Sequence, residues 1–99
     1  MDIEEIRKYR QEINRIASKY GITKVSLFGS IARGESIKAS DVDFLIEMQE
    51  GSSYLGVGGF LCEMEELLGV SVDVIPSSVL ANVNDRVFIE NVRSEAVAL

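Results

Sequence analysis

A chain of 99 residues has enough apolar material for one hydrophobic core but not two, so a single domain over residues 1–99 is expected. Its 16 acidic against 10 basic side chains give a formal net charge of −6, which argues against direct, sequence-independent nucleic-acid binding, since that needs a basic face. There is no histidine and only one cysteine, which excludes Ser-His-Asp, Cys-His and His-ligated zinc chemistry as well as an internal disulfide.

The hydrophobic share of 46% and charged share of 26% are those of an ordinary soluble domain. No apolar run approaches the roughly 20 residues of a membrane span, and no basic-then-apolar leader opens the chain. A cytoplasmic location without membrane association is expected. Cys62 lies in the apolar run Phe60-Leu61-Cys62 and reads as a small buried core residue in a reducing compartment.

In chain order, Asp2 and Glu5 form a capping box. Ile3, Ile6, Ile13, Ile16, Ala17 and Tyr20 then recur at helical spacing until Gly21, which predicts a helix over residues 3–20 with Tyr9 and Tyr20 as packing residues. Lys24 to Phe28 reads as a short strand ended by Gly29-Ser30, with about one helical turn from Ile31 to Gly34. Val42 to Met48 is a second strand. Tyr54 to Leu68 looks helical, although Gly56, Gly58 and Gly59 each cost about 1 kcal/mol in a helix interior. Val70 to Ile75 is a third strand closed by Pro76, and Val83 to Arg93 a last helix, with Asn82, Asn84 and Asp85 at its start. Glu95 to Leu99 either adds a short strand or docks on a partner. The result is an α/β (α+β) domain, a small mixed three-stranded sheet flanked by helices on one face at least. The long helical connection between the second and third strands suggests that they run parallel, and the first pairing stays open.

The second strand carries the chemistry. Side chains alternate across a strand, so Asp41, Asp43, Leu45 and Glu47 share one face while Val42, Phe44, Ile46 and Met48 build the core on the other. Aspartate is depleted in strands, and two on one short strand repel unless something positive lies between them. Asp73, the polar member of Val72-Asp73-Val74-Ile75, joins them in a suitable register. An all-oxygen carboxylate set suits Mg²⁺, or Mn²⁺, rather than zinc. Two such ions would form the clamp used for in-line displacement at phosphorus. Glu47, farther along the strand, reads as a solvated residue.

Ahead of this pair, Leu27-Phe28-Gly29-Ser30-Ile31-Ala32-Arg33-Gly34 forms a strand, a tight turn and a helix start. Gly29 lets a phosphate approach the backbone, the free amides favour an anion, and Ser30 adds a hydroxyl donor. Arg33 either reaches a phosphate or braces the loop that includes Glu35 and Asp41.

The run from Gly29-Ser30 through ten residues to Asp41-Val42-Asp43 resembles the signature of the polymerase-β-like nucleotidyltransferases. The stretches LFGSIARGESIKASDVDFLIEM and EMEELLGVSVDVI are similar to those of the minimal nucleotidyltransferases (MNT). The resemblance implies the nucleotidyltransferase fold. It puts the family's catalytic metal carboxylates at Asp41, Asp43 and Asp73 and its nucleotide-binding glycine and serine at Gly29 and Ser30. Arg33 and Gly34 are retained, while members often have arginine where Ile31 stands, a departure expected to touch a phosphate or partner contact. It further implies Mg-dependent transfer of a nucleoside monophosphate, commonly AMP from ATP. Such proteins are typically paired with a HEPN ribonuclease toxin, act as its antitoxin, and can attach AMP to a tyrosine hydroxyl of it. Because this chain has no room for an acceptor-binding domain, a second copy or another protein is expected to supply the acceptor. Two alternatives stand beside this one: an antitoxin that neutralises by binding alone, and a transferase acting on a small molecule or RNA end.

Overall fold

The structure is a computed structural model that describes residues 2–34 and 42–99. The capping box forms as the spacing predicts: the Asp2 carboxylate accepts the Glu5 N–H at 2.9 Å and opens α1 (Ile3–Arg7). The predicted single helix is in fact two, because α2 (Arg10–Lys19) starts after a break at Lys8-Tyr9. There the Tyr9 N–H bonds the Ile6 carbonyl, three residues back rather than four. One tightened turn swings the apolar stripe too little to disturb its periodicity, so the sequence carries no sign of the break. Tyr9, expected to pack, is 38% exposed.

After α2 come β1 (Ile22–Phe28), α3 (Gly29–Ala32), β2 (Val42–Met48), α4 (Leu55–Leu68), β3 (Val72–Pro76), α5 (Ser77–Leu80), α6 (Arg86–Glu95) and β4 (Val97–Ala98). The strands order as β3-β2-β1-β4. β1 and β2 are antiparallel, which settles the open pairing, and β2 and β3 are parallel across the α4 crossover, as expected. Among the described residues the sheet thus has four strands rather than the three predicted. The fourth is the short strand, one of the two alternatives for Glu95 to Leu99: two residues on β1, Leu27 opposite Val97 and Ser26 opposite Ala98, too short to leave an alternating pattern. No helix among the described residues is long and apolar enough to cross a membrane.

Strand alternation sorts the two faces. Val42, Phe44 and Ile46 of β2 are fully buried beneath α2 and α4, where Ile13, Ile16, Phe60 and Met64 close the main core. The opposite face carries a smaller apolar cluster, Phe28, Leu80 and Val92 with Leu45, Ile75 and Ile89 against them, under α5 and α6. Helices therefore cover both faces, the second only in part. Glu47, on that second face, is exposed as expected. Cys62 is also exposed, which corrects the expectation of a buried thiol. The buried stripe of α4 is Phe60, Met64 and Leu68, at four-residue intervals, and residue 62 lies on the far side of the helix from it.

The glycines of α4 are a packing device. A Cβ on Gly56 would stand 2.9 Å from the Tyr20 carbonyl oxygen, and one on Gly59 2.5 Å from the Tyr20 ring. The helix can approach the end of α2 this closely only without those side chains, and the Tyr20 hydroxyl then donates to Glu63, which also pairs with Lys19 at 2.8 Å. Gly58 has open space around it. Two substitutions should therefore have opposite signs in urea unfolding. Gly58→Ala should stabilise by about 0.5–1 kcal/mol through helix propensity. Gly56→Ala should destabilise by about 1–3 kcal/mol because backbone must move.

Candidate active site

Register decides the geometry of the predicted carboxylates. Phe28 of β1 is the Cα partner of Asp43, and Asp43 is the Cα partner of Asp73. The three residues thus form one row across three strands, on the face that α6 partly covers. Neighbouring strands lie about 4.8 Å apart, so two carboxylates leave the sheet side by side. At an effective dielectric of about 20 and a separation of about 5 Å, two such charges repel by about 3 kcal/mol. Asp43 is half-buried and Asp73 exposed. Asp41, the third predicted ligand, and Glu35 lie outside the described residues.

The turn meets the carboxylates directly. Phe28 ends β1 in extended conformation, and Gly29 follows with φ +76°, the left-handed region that disfavours any side chain. A Cβ at Gly29 would fall 2.4 Å from Asp43 Oδ2. The absence of a side chain there is what lets the Asp43 carboxylate sit on the turn. Ile31 anchors α3 in the main core at 1% exposure, so the position where family members often carry arginine faces the core in this chain, not a phosphate or partner contact.

Gly29, Ser30, Arg33, Asp43 and Asp73 all line one cleft of about 800 Å³, within the size range of small-molecule sites. Its opposite wall is α6, through Phe88, Asn91 and Glu95. The Arg33 guanidinium donates to Glu95 Oε2 at 3.0 Å and so ties the turn to α6. Neither reading of Arg33 made from sequence named this partner. The two residues are 62 positions apart, and nothing in the local sequence links them. The α6 wall was likewise missed. Its only sequence signal is that Phe88, Asn91 and Glu95 follow one another at three- and four-residue spacing on one helical face.

Could these residues hold a divalent cation? Asp43 and Asp73 offer hard oxygen donors from adjacent positions, and Mg²⁺ needs only one or two carboxylates, completing its shell with water and phosphate. Among the described residues no group of three His, Cys, Asp or Glu converges, and the Asp43–Asp73 pair by itself supplies the one or two carboxylates that such a cation takes. The donor set fits the group.

Comparison with known proteins places the chain in a family. The Nucleotidyltransferase domain family matches residues 4–98. The chain belongs to that family. As a nucleotidyltransferase it is 40% identical over 93 residues to "Putative protein adenylyltransferase MJ0435" of Methanocaldococcus jannaschii, covering 93% of this chain and 97% of the relative. A solved structure described as a "putative minimal nucleotidyltransferase" superposes with a TM-score of 0.81 at 33% identity, over 100% of this chain and 97% of the other. The fold is also that of one chain in a solved complex of a tri-AMPylated Shewanella oneidensis HEPN toxin with an MNT antitoxin, with a TM-score of 0.63 at 14% identity over 93% of this chain and 69% of the other. Membership makes the chain an enzyme of the nucleotidyltransferase class, and implies a reaction that depends on a divalent cation.

Gly29→Ala is the sharpest probe of the turn. It should destabilise by at least about 1 kcal/mol, because the backbone is left-handed there, and should abolish Mg·ATP binding in calorimetry by displacing Asp43. Glu95→Gln, which removes a solvent-exposed pair, should change stability by less than about 1 kcal/mol in the same unfolding assay.

Proposed function

We propose that this nucleotidyltransferase moves AMP from ATP onto a protein hydroxyl, a tyrosine of a cognate HEPN-type toxin, and so acts as its antitoxin. The observation that carries the reading is the side-by-side placement of Asp43 and Asp73 next to the Gly29 turn in a single cleft. The protein acceptor is supported by the relative that is named a protein adenylyltransferase and by the AMPylated toxin in the complex of like fold. The net charge of −6 suits docking on a basic, RNA-binding partner.

The reaction joins the acceptor oxygen to the α-phosphorus and breaks the bond from that phosphorus to the β-phosphate bridge, so pyrophosphate leaves. Ser30 Oγ and the amides of the turn hold the β- and γ-phosphates, which fixes the leaving group in line with attack. Arg33 lies beside the same oxygens, at the point where it also meets Glu95. Asp73, the more open of the two described carboxylates, is placed to accept the acceptor's hydroxyl proton on a carboxylate oxygen. Asp43, seated on the turn, orients the α-phosphate end, and Asp41 completes the carboxylate set. Two Mg²⁺ ions held by these aspartates would neutralise phosphate charge and make the attacking hydroxyl more acidic. Positioning and charge stabilisation account for most of what such a transfer requires.

The test is incubation with α-labelled ATP, Mg²⁺ and a HEPN-type protein from the same genome that forms a complex with this chain. Label should enter the partner's tyrosine. Asp43→Asn and Asp73→Asn should each cut the rate by about 100-fold or more while the complex with the partner survives gel filtration. A stable complex that never takes up label would leave a binding-only antitoxin and overturn the transfer.

A further inference from the structure

The cleft extends well beyond the phosphate turn, and the part farthest from it has no assigned task. Its wall is the inner face of α6. Glu95 stands next to the turn through its ion pair with Arg33, and Phe88 lies seven residues back along the helix. Seven residues span about 10 Å of helix axis, roughly the length of a ribose and base. Phe88, 40% exposed, presents an aromatic surface to the cleft beside apolar Val74, Ile75 and Leu61. Asn91, between Phe88 and Glu95, also lines the cleft, and its side-chain amide makes no hydrogen bond among the described residues. A row that starts at a phosphate grip, passes a free amide and ends on an exposed aromatic has the layout of a nucleotide site read from tail to base.

We infer that α6 is the base-reading wall: Phe88 stacks on the nucleobase, and the Asn91 amide makes a bidentate pair with the N6 and N7 edge of adenine. This rests on the reading of the cleft as a nucleoside triphosphate site. An asparagine amide offers one acceptor and one donor, and adenine's outer edge presents the complementary N6 donor and N7 acceptor. Guanine presents two acceptors there and cytosine a lone donor, so neither satisfies both halves of the amide. Stacking on Phe88 favours every base, purines most, and carries no choice among them. Asn91 is therefore the specificity-determining residue of this wall and Phe88 the affinity-determining one.

Calorimetry on the full chain with Mg²⁺ tests this, using ATP, GTP, CTP and inorganic tripolyphosphate as separate ligands. The unmodified chain should prefer ATP by about tenfold over GTP and CTP. Asn91→Ala should bring the three within about twofold, and Asn91→Arg, which suits the O6 and N7 edge, should turn the preference toward GTP. Phe88→Ala should weaken all three nucleotides by about fivefold or more while leaving tripolyphosphate unchanged. Both side chains are exposed, so these variants should keep the unfolding midpoint of the parent. Tripolyphosphate binding with no preference among nucleotides, an ATP preference that survives Asn91→Ala, or nucleotide affinities unmoved by Phe88→Ala overturns the inference and leaves the transferase reading intact. No binding of tripolyphosphate or any nucleotide removes both.

Discussion

Two like charges held in register on neighbouring parallel strands set the terms for everything else in this molecule. The pairing of Asp43 with Asp73 is a backbone fact, made by the β2–β3 ladder, and the side chains have no freedom to leave that face of the sheet. Their repulsion is opposed by the burial that fixes the register: Val42, Phe44 and Ile46 alternate with the acidic positions and are wholly buried. A one-residue slip would move these apolar groups into solvent and the carboxylates into the core. The main core thus holds the charged pair in place, and a divalent cation between the carboxylates is the natural relief.

The same alternation explains why the second face is only half covered. Phe28, Leu45 and Ile75 give α5 and α6 a small apolar seat, and the row containing Asp43 and Asp73 is left open at its end. A fully packed second face would have no cleft. The apolar cluster around Val92 and Leu80, rather than the exposed Arg33–Glu95 pair, supplies most of the energy that keeps α6 in position. The ion pair sets instead where α6 meets the turn, and so the distance between the turn and the rest of the wall.

Close approach without side chains recurs at two places with different purposes. At Gly29 it admits the Asp43 carboxylate onto the turn, and at Gly56 and Gly59 it admits the end of α2 onto α4. The second use answers the apparent weakness of a helix with three glycines. The propensity lost inside α4 is offset by packing against Tyr20 that a larger residue would forbid.

Features with a local physical cause were legible in the residues alone. The Asp2 cap, the alternation of β2 and the turn at Gly29-Ser30 each follow from a few consecutive side chains and the period of a helix or strand. The parallel run of β2 and β3 followed from the length of the connection between them. Contacts between distant segments were not legible, because no local rule encodes them: the place of Phe28 beside Asp43 and Asp73, the pairing of Arg33 with Glu95 and the α6 wall. Cys62 marks the boundary between the two. Its apolar neighbours suggested burial, but a helix buries only the stripe that its partners touch, and the direction of that stripe was chosen by the sheet beneath it.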